Sequence, residues 1–180
     1  MDWKEEYKKR VYSPEEAVKK IKSNNRVVIC HAAGEPQTLV DAMVKNYKEY
    51  ENVEIVHMVP LGKCEYMKPG RAGHFRHYGL FLGGGTREAV SAGAGEYTPS
   101  FFFEIPKLFR KGGNLPVDVA LIQVSLPDEH GYCSLGITCD YTKAAAENAK
   151  CVIAQVNKFM PRVVGDNFIH ISEIDAIVEK

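Results

Sequence analysis

Three segments of the chain carry side chains that could bind or transform a small molecule, and the first of them covers residues 30–36. His31 and Glu35 in this segment are suited to positioning a carboxylate or relaying a proton. The small residues around Gly34 let a ligand approach the backbone, and the N-terminus of a following helix favours an anion. A second interpretation stays open, in which the segment is a tight turn and Glu35 caps its own helix.

The second segment is Gly83-Gly84-Gly85-Thr86, which is similar to a phosphate-binding loop. It has neither the G-x-G-x-x-G pattern nor the G-K-[ST] ending of such loops. We therefore expect a flexible loop that leads into a short helix at 87–92.

The third segment, 125–131, places acid and base groups at 128–130 close to Ser125. A serine nucleophile of this kind normally sits in a G-x-S-x-G elbow, which is missing here, so Ser125 is not expected to attack a substrate. A turn that begins at Pro127 and ends at Gly131 explains most of the segment without any function.

Two further clusters have simpler interpretations. His74-Phe75-Arg76-His77 predicts a basic loop that touches an anionic ligand, and no Cys or carboxylate stands at ligand spacing to complete a metal site. The three phenylalanines at 101–103 are most simply explained by packing in the core or at an interface.

Composition and charge exclude several classes of protein. Hydrophobic residues are 45% and charged residues 26% of the chain, as in soluble globular domains. The 23 Lys and Arg balance 23 Asp and Glu, so no basic excess points to a nucleic-acid partner. Apolar stretches such as 119–127 are far shorter than the roughly 20 residues that span a bilayer, and no signal peptide is recognisable. The five cysteines lack C-x-x-C spacing, which indicates reduced thiols in a cytoplasm.

The elements that must position these segments alternate along the chain. Apolar runs predict strands at 27–30, 53–59, 78–82, 117–124 and 151–156. Amphipathic patterns predict a helix at 14–21, one that begins at residue 36, one that ends at residue 109 and one at 141–149. A short hairpin or crossover is expected at 132–138. This alternation predicts an α/β fold, a mostly parallel sheet with helices on both faces, in a single domain over 1–180. Ligands bind such sheets beyond the carboxyl ends of the strands.

Taken together, the segments resemble the amino-terminal half of the 4-hydroxybutyrate and butyryl-CoA:acetate CoA-transferases, within the acetyl-CoA hydrolase/transferase family. The resemblance covers essentially the whole chain, as many short matches in one order. They include Met1-Asp2-Trp3-Lys4, Glu16-Ala17-Val18, Glu35-Pro36, His57-Met58-Val59, Leu61-Gly62-Lys63, Phe101-Phe102, Glu104-Ile105-Pro106, Val124-Ser125, Pro127-Asp128, Gly131-Tyr132-Cys133, Asp140-Tyr141-Thr142, Val156-Asn157, Met160-Pro161, Gly165-Asp166 and Phe168-Ile169-His170.

The resemblance implies a two-domain enzyme of the NagB/CoA-transferase fold that uses a coenzyme A thioester as substrate and holds no permanently bound cofactor. A glutamate attacks the acyl-CoA and later carries CoA as a glutamyl thioester. Family members are more than twice as long, and their glutamate lies in the second half. Glu35, Glu104 and Glu129 do not match it. We therefore expect the catalytic C-terminal domain to be absent and the 180-residue chain alone to be inactive.

What the resemblance leaves to this half is the carboxylate-substrate side of the cleft between the domains. Family position and the strand-end rule together give its candidates: His31, Gly34, Glu35, Ser125, Pro127 and Asn157. Two alternatives stay open: a non-catalytic subunit completed by a separate C-terminal chain, and half of an acetyl-CoA hydrolase. A missing domain also predicts exposed apolar surface, and with it self-association into a homo-oligomer or a loosely held tail from Phe168 onward.

Overall fold

A parallel sheet forms the centre of the computed structural model, which describes residues 2–180. The strands are β1 (Arg26–Ile29), β2 (Val53–His57), β3 (Phe75–Gly79), β4 (Gly95–Tyr97), β5 (Val119–Val124), β6 (Tyr132–Ser134), β7 (Cys151–Val156), β8 (Phe168–His170) and β9 (Ala176–Glu179). Seven of them form one sheet in the order β4-β3-β2-β1-β5-β7-β9, with every neighbouring pair parallel. The other two, β6 and β8, pair antiparallel as a separate ribbon.

Helices cover both faces of the sheet. They are α1 (Trp3–Lys9), α2 (Pro14–Ala17), α3 (Gln37–Lys45), α4 (Gly84–Ser91), α5 (Ile105–Phe109) and α6 (Asp140–Asn148), joined in places by short 3₁₀ turns. Successive side chains of a strand point to opposite faces, so the sheet has two cores. Val27 belongs to the core under α2 and α3, whereas Val28 belongs to the core under α5 and α6. The predicted fold class is confirmed.

Local sequence signals account for much of this order. The Ser13 side chain accepts a hydrogen bond from the Glu16 backbone, and the Glu16 side chain accepts one from the Ser13 backbone, so the predicted capping box is present. All six residues of β5 are buried, as expected for a strand covered on both faces. No helix among residues 2–180 combines the length and the apolar character needed to cross a membrane.

The strand predicted at 78–82 lies instead at β3, and the predicted basic loop at 74–77 is wrong for the same reason. Arg76 lies within β3 and forms ion pairs with Glu54 of β2 and Glu96 of β4. His77 points to the other face and is 1% exposed. Arg76 therefore interrupts the apolar pattern of β3, and carboxylates on the two neighbouring strands neutralise its charge.

Two other expectations about flexible segments are wrong. The triple glycine is not a loop, since α4 begins at Gly84 and buries Thr86 within its first turn. The segment from Phe168 onward is not a loose tail, because β9 joins the main sheet beside β7 and buries residues 176–178. Of the two alternatives for the segment at 132–138, the hairpin is wrong, since β6 pairs with the distant β8.

Candidate functional site

The candidate residues lie where the parallel strands end. Because β1, β2, β5 and β7 run in the same direction, the segments that follow them meet at one edge, here called the carboxyl edge. The segment at 30–36 follows β1, the segment at 58–62 follows β2, and Ser125 and Asn157 directly follow β5 and β7.

His31 is paired with an aspartate that lies 109 residues further along the chain. Its Nδ1 lies 2.8 Å from Oδ2 of Asp140, the first residue of α6. The other oxygen of Asp140 accepts hydrogen bonds from the backbone nitrogen and the hydroxyl of Thr142, at 3.1 and 3.2 Å. Rings of Phe102 and Tyr141 flank the imidazole, with centroids 5.3 and 5.7 Å away. The imidazole is therefore held in one orientation at the carboxyl edge.

Glu35 ties two loops of the carboxyl edge together. Its Oε2 accepts hydrogen bonds from the backbone nitrogens of Leu61 and Gly62, at 3.1 and 2.9 Å. The side chain is 8% exposed, and its Oε1 is buried with no partner among residues 2–180. Burial raises the pKa of the Glu35 carboxyl, against the opposing effect of the two backbone donors.

The interpretation in which Glu35 caps its own helix is wrong. The helix α3 begins after Pro36 without a side-chain cap, and its Thr38 backbone nitrogen donates instead to Oε1 of Gln155 at 3.0 Å. The Glu35 side chain extends to the loop after β2, where its carboxylate accepts hydrogen bonds from two backbone N–H groups that otherwise have no partner among residues 2–180.

Gly34 has a packing role that its position in the sequence conceals. It is buried, and a Cβ at this position would lie 2.1 Å from the Thr138 hydroxyl. That hydroxyl lies 3.0 Å from the Cys30 sulfur. The absence of a side chain at Gly34 thus lets the loop after β1 pack against the segment that precedes α6.

Ser125 and Pro127 belong to the ribbon rather than to the pair at His31. The Ser125 hydroxyl donates to the Leu126 carbonyl and accepts from the Ser134 backbone nitrogen, both at 2.9 Å. Pro127 is the first residue of the predicted turn, in which the Asp128 carboxylate accepts hydrogen bonds from two backbone nitrogens. The serine hydroxyl is committed to these contacts, so the structure gives it no activating base.

Asn157 ends a chain of amide side chains under the carboxyl edge. Its Nδ2 donates to Oε1 of Gln123 at 3.0 Å, and Nε2 of Gln155 donates to the same oxygen at 3.0 Å. Gln155 in turn accepts the backbone hydrogen bond from Thr38. This network links the ends of β5 and β7 to the start of α3.

Several residues at this edge escaped sequence reasoning. Gln123 and Gln155 are 6% and 2% exposed. Each is a polar residue within an otherwise apolar strand, and this sequence signal could have identified them, because a buried amide needs hydrogen-bond partners. Asp140 gave no such signal, because an aspartate in the first turn of a helix is common whether or not its side chain has a partner. Phe102 was not distinguished from the two phenylalanines beside it. The structure joins His31, Gly34 and Glu35 with residues from 138–140, and it joins Asn157 with the amide network.

Two buried histidines lie below this edge. His57 Nε2 donates to the Cys30 carbonyl at 3.1 Å, and its Nδ1 lies 3.2 Å from the Tyr66 hydroxyl. Burial lowers the pKa of His57 to about 3 and the pKa of His77 to about 4. Both imidazoles are neutral at neutral pH and support the strands rather than face a ligand. Within residues 2–180, no three His, Cys, Asp or Glu side chains cluster as metal ligands.

Large apolar side chains surround the carboxyl edge and are exposed. We call them the apolar rim: Leu61, Phe81, Tyr97, Phe101, Phe102, Phe103, Leu126, Ile137, Phe159, Val163 and Val164. Phe101 and Phe103 are 71% and 72% exposed, so the core alternative for these phenylalanines is wrong and the interface alternative stays a prediction. An exposed apolar surface of this extent marks an interaction site in most proteins.

Comparison with known proteins agrees with this arrangement. The family model of the acetyl-CoA hydrolase/transferase N-terminal domain matches residues 1–180. The chain is 59% identical to the 4-hydroxybutyrate coenzyme A transferase of Clostridium kluyveri over 99% of its own length and 42% of that protein.

Solved structures give the same result. The crystal structure of 4-hydroxybutyrate CoA-transferase from Porphyromonas gingivalis superposes with a TM-score of 0.83 at 40% identity, over 99% of this chain and 41% of that one. RipA from Yersinia pestis superposes with a TM-score of 0.92 at 30% identity, over 100% of this chain and 44% of that one. The chain spans about two fifths of the length of these relatives. The chain therefore belongs to the acetyl-CoA hydrolase/transferase family and corresponds to its N-terminal domain.

Proposed function

We propose that this chain supplies one wall of the acyl-exchange site of a CoA-transferase. The complete enzyme moves coenzyme A between a short-chain acyl-CoA (butyryl, 4-hydroxybutyryl or acetyl) and a carboxylic acid such as acetate. The observation that carries the proposal is the position of the His31–Asp140 pair at the carboxyl edge, next to the exposed apolar rim. The names of the relatives support the substrate class.

The reaction divides one difficult transfer into easier steps through a glutamate carboxylate. The carboxylate attacks the thioester carbonyl, the C–S bond breaks, and an anhydride and CoA thiolate form. The thiolate then attacks the glutamyl carbonyl, which releases the first acid and leaves a glutamyl-CoA thioester for the second acid to attack. Glu35 is buried and its carboxylate accepts hydrogen bonds from two backbone N–H groups, so it is unsuited to be this nucleophile. The glutamate belongs to sequence outside this chain.

In this proposal the apolar rim is covered by the C-terminal domain of the complete protein, and the substrates lie between the two. The chain carries no permanently bound cofactor and works in the cytoplasm, with neither nucleic acid nor membrane as partner. His31, Gly34, Glu35, Ser125, Pro127 and Asn157 shape the carboxylate-substrate side, with His31 nearest to the substrate and the others supporting the loops.

The test measures exchange of labelled acetate into acetyl-CoA by the purified 180-residue chain and by the complete polypeptide. We expect exchange by the complete polypeptide and none by the chain alone. Robust exchange by the chain alone contradicts the assignment of the nucleophile to other sequence, and a complete polypeptide without exchange contradicts the transferase.

Two alternatives have their own tests. A separate C-terminal subunit appears as a stoichiometric partner in a pull-down from native extract, whereas the intact mass of a single longer polypeptide excludes it. An acetyl-CoA hydrolase releases free CoA when no acceptor acid is present, whereas a transferase forms a new acyl-CoA from the acceptor acid and releases no free CoA.

A further inference from the structure

The two ring nitrogens of His31 have different surroundings. Nδ1 is hydrogen-bonded to Asp140. Nε2 has no hydrogen-bond partner among residues 2–180 and is accessible to solvent. The His31 side chain is 17% exposed, and the rings of Phe102 and Tyr141 pack beside the imidazole at interplanar angles of 66° and 42°. Nε2 is therefore the polar atom of the imidazole that can contact a ligand.

Asp140 is itself held in place. Its Oδ1 is occupied by the two donors of Thr142, which leaves Oδ2 for His31. Asp140 lies in the first turn of α6, where the helix dipole favours a carboxylate. A carboxylate only accepts hydrogen bonds, so the neutral imidazole must carry its proton on Nδ1 and a lone pair on Nε2. The same carboxylate stabilises the imidazolium when Nε2 takes up a proton.

We propose that Asp140 is a positioning residue that fixes the tautomer of His31, so that Nε2 exchanges a proton with the thiol of coenzyme A. This inference rests on the proposed function for the identity of the substrate. Thioesters and carboxylate anions have no transferable proton at neutral pH, whereas the free CoA thiol has one and attacks only as the thiolate. The thiolate released from the acyl-CoA accepts a proton from the His31 imidazolium, and before the next step Nε2 takes this proton back from sulfur. The thiolate electron pair then forms the new C–S bond at the glutamyl carbonyl, and the C–O bond of the anhydride breaks to release the first acid. In the reverse direction, the imidazolium returns the proton to the departing thiolate.

The first experiment needs no activity. Nitrogen-15 NMR of the 180-residue chain distinguishes a protonated from an unprotonated ring nitrogen in neutral His31. We expect Nδ1 to be protonated and Nε2 unprotonated, and we expect Asp140→Asn to transfer much of the population to the Nε2–H tautomer, because an amide can donate to Nδ1. Asp166→Asn is the matched control: it removes a carboxylate that is 94% exposed near the same helix, and it should leave the tautomer unchanged.

An Nε2–H tautomer in the unsubstituted chain overturns the proposal, and this result does not depend on whether any variant folds. An unchanged tautomer in a folded Asp140→Asn chain also overturns it.

The second experiment uses the complete polypeptide. A positioned proton acceptor contributes about 10²–10⁴-fold to a rate, so Asp140→Asn should lower kcat at least 10-fold with a small change in KM. His31→Gln should cost as much, and the double variant little more, because the two residues act as a unit.

A kcat unchanged by Asp140→Asn, with the tautomer shifted, contradicts the catalytic part of the inference. If the unsubstituted complete polypeptide shows no transfer, the proposed function fails, and the NMR result still decides whether Asp140 sets the tautomer.

Discussion

The backbone nitrogen of Gly62 lies 2.9 Å from Oε2 of Glu35, so a buried carboxylate from the loop after β1 holds the loop after β2. Leu61, whose backbone donates to the same oxygen, is 65% exposed. We call this contact of Glu35 with the backbone of Leu61 and Gly62 the clasp. It holds the apolar Leu61 side chain exposed at the carboxyl edge. Its two ends can be tested separately, by changing the charge at Glu35 and the space at Gly62.

Glu35→Gln should change how stability depends on pH. Burial raises the pKa of Glu35 above its ordinary value of 4.5, so the folded chain binds a proton that the unfolded chain has lost. The contribution of Glu35 to stability is therefore fully present below pH 4.5 and is lost as pH rises through the folded pKa. Urea unfolding at several pH values should show the wild type losing stability relative to Glu35→Gln as pH rises over this window.

The control for this charge change is the exposed Glu51, whose replacement by Gln should leave the difference from wild type independent of pH in the same window. A difference between wild type and Glu35→Gln that is flat over the window would show that burial of the carboxylate carries no such penalty.

Gly62→Ala should loosen the clasp by steric conflict. A Cβ at this position would lie 2.3 Å from Oε1 of Glu35 and 2.4 Å from Oε1 of Gln37. The Gln37 side chain can rotate away, whereas Glu35 is held by its two hydrogen bonds, so we expect a loss of about 1–3 kcal/mol in unfolding free energy. Gly70→Ala is the matched control, since a Cβ there meets nothing within 4 Å. Equal stabilities of the two variants would contradict the clasp.

Gly34→Ala should separate the loop after β1 from the segment before α6. The added Cβ would lie 2.1 Å from Oγ1 and 2.6 Å from Cγ2 of Thr138, and both Gly34 and Thr138 are buried. Overpacking of this kind costs about 1–3 kcal/mol. Thr138→Ala removes both atoms, so the double variant should recover part of the loss. Strict additivity in a double-mutant cycle of unfolding free energies would disprove the contact.

The buried His77 should make the fold sensitive to acid. Its imidazole is 1% exposed, both ring nitrogens lack partners among residues 2–180, and burial lowers its pKa to about 4 from 6.5. The unfolded chain takes up the proton first, so stability falls as pH drops below 6.5 and levels off near the folded pKa. The loss from this group is about 2 kcal/mol at pH 5.

His77→Leu removes the titrating group, and its unfolding free energy should fall less than that of the wild type between pH 7 and pH 5. His130→Leu replaces a histidine whose side chain is 73% exposed and should follow the wild type. The prediction fails when His77→Leu and His130→Leu lose the same stability on acidification.

The apolar rim should drive self-association of the isolated chain. Phe101 and Phe103 stack with ring centroids 5.8 Å apart and are largely exposed. Burial of one phenylalanine is worth about 1.5–3 kcal/mol, so Phe101→Ser with Phe103→Ser should weaken association at least 10-fold in sedimentation velocity. Val11→Ser changes an exposed residue that pairs with Ile177 of β9 and is not part of the rim, and it should have no effect. A monomeric wild type over the same concentrations would rule out association through the rim.

The sequence by itself determined the central strands β1, β2, β5 and β7 and their alternation with helices, whereas no sequence pattern marked β4, β8 and β9. The mostly apolar runs of β5, β7 and β1 predict buried strands because consecutive apolar residues need cover on both faces of the sheet. Ser13 with Glu16 marks a helix start through local hydrogen bonds. The family also followed from sequence, since its short matches run through the whole chain in one order.

The tertiary structure alone decided which side chains meet. His31 and Asp140 are 109 residues apart, and only the parallel order of β1 and β5 with α6 above them brings the two together. Glu35 found its partners in the loop after β2 rather than in its own helix, and Arg76 became tolerable within β3 only because Glu54 and Glu96 flank it. Local patterns report how a residue is buried, whereas contacts between strand ends depend on sheet order and register, which no local pattern contains.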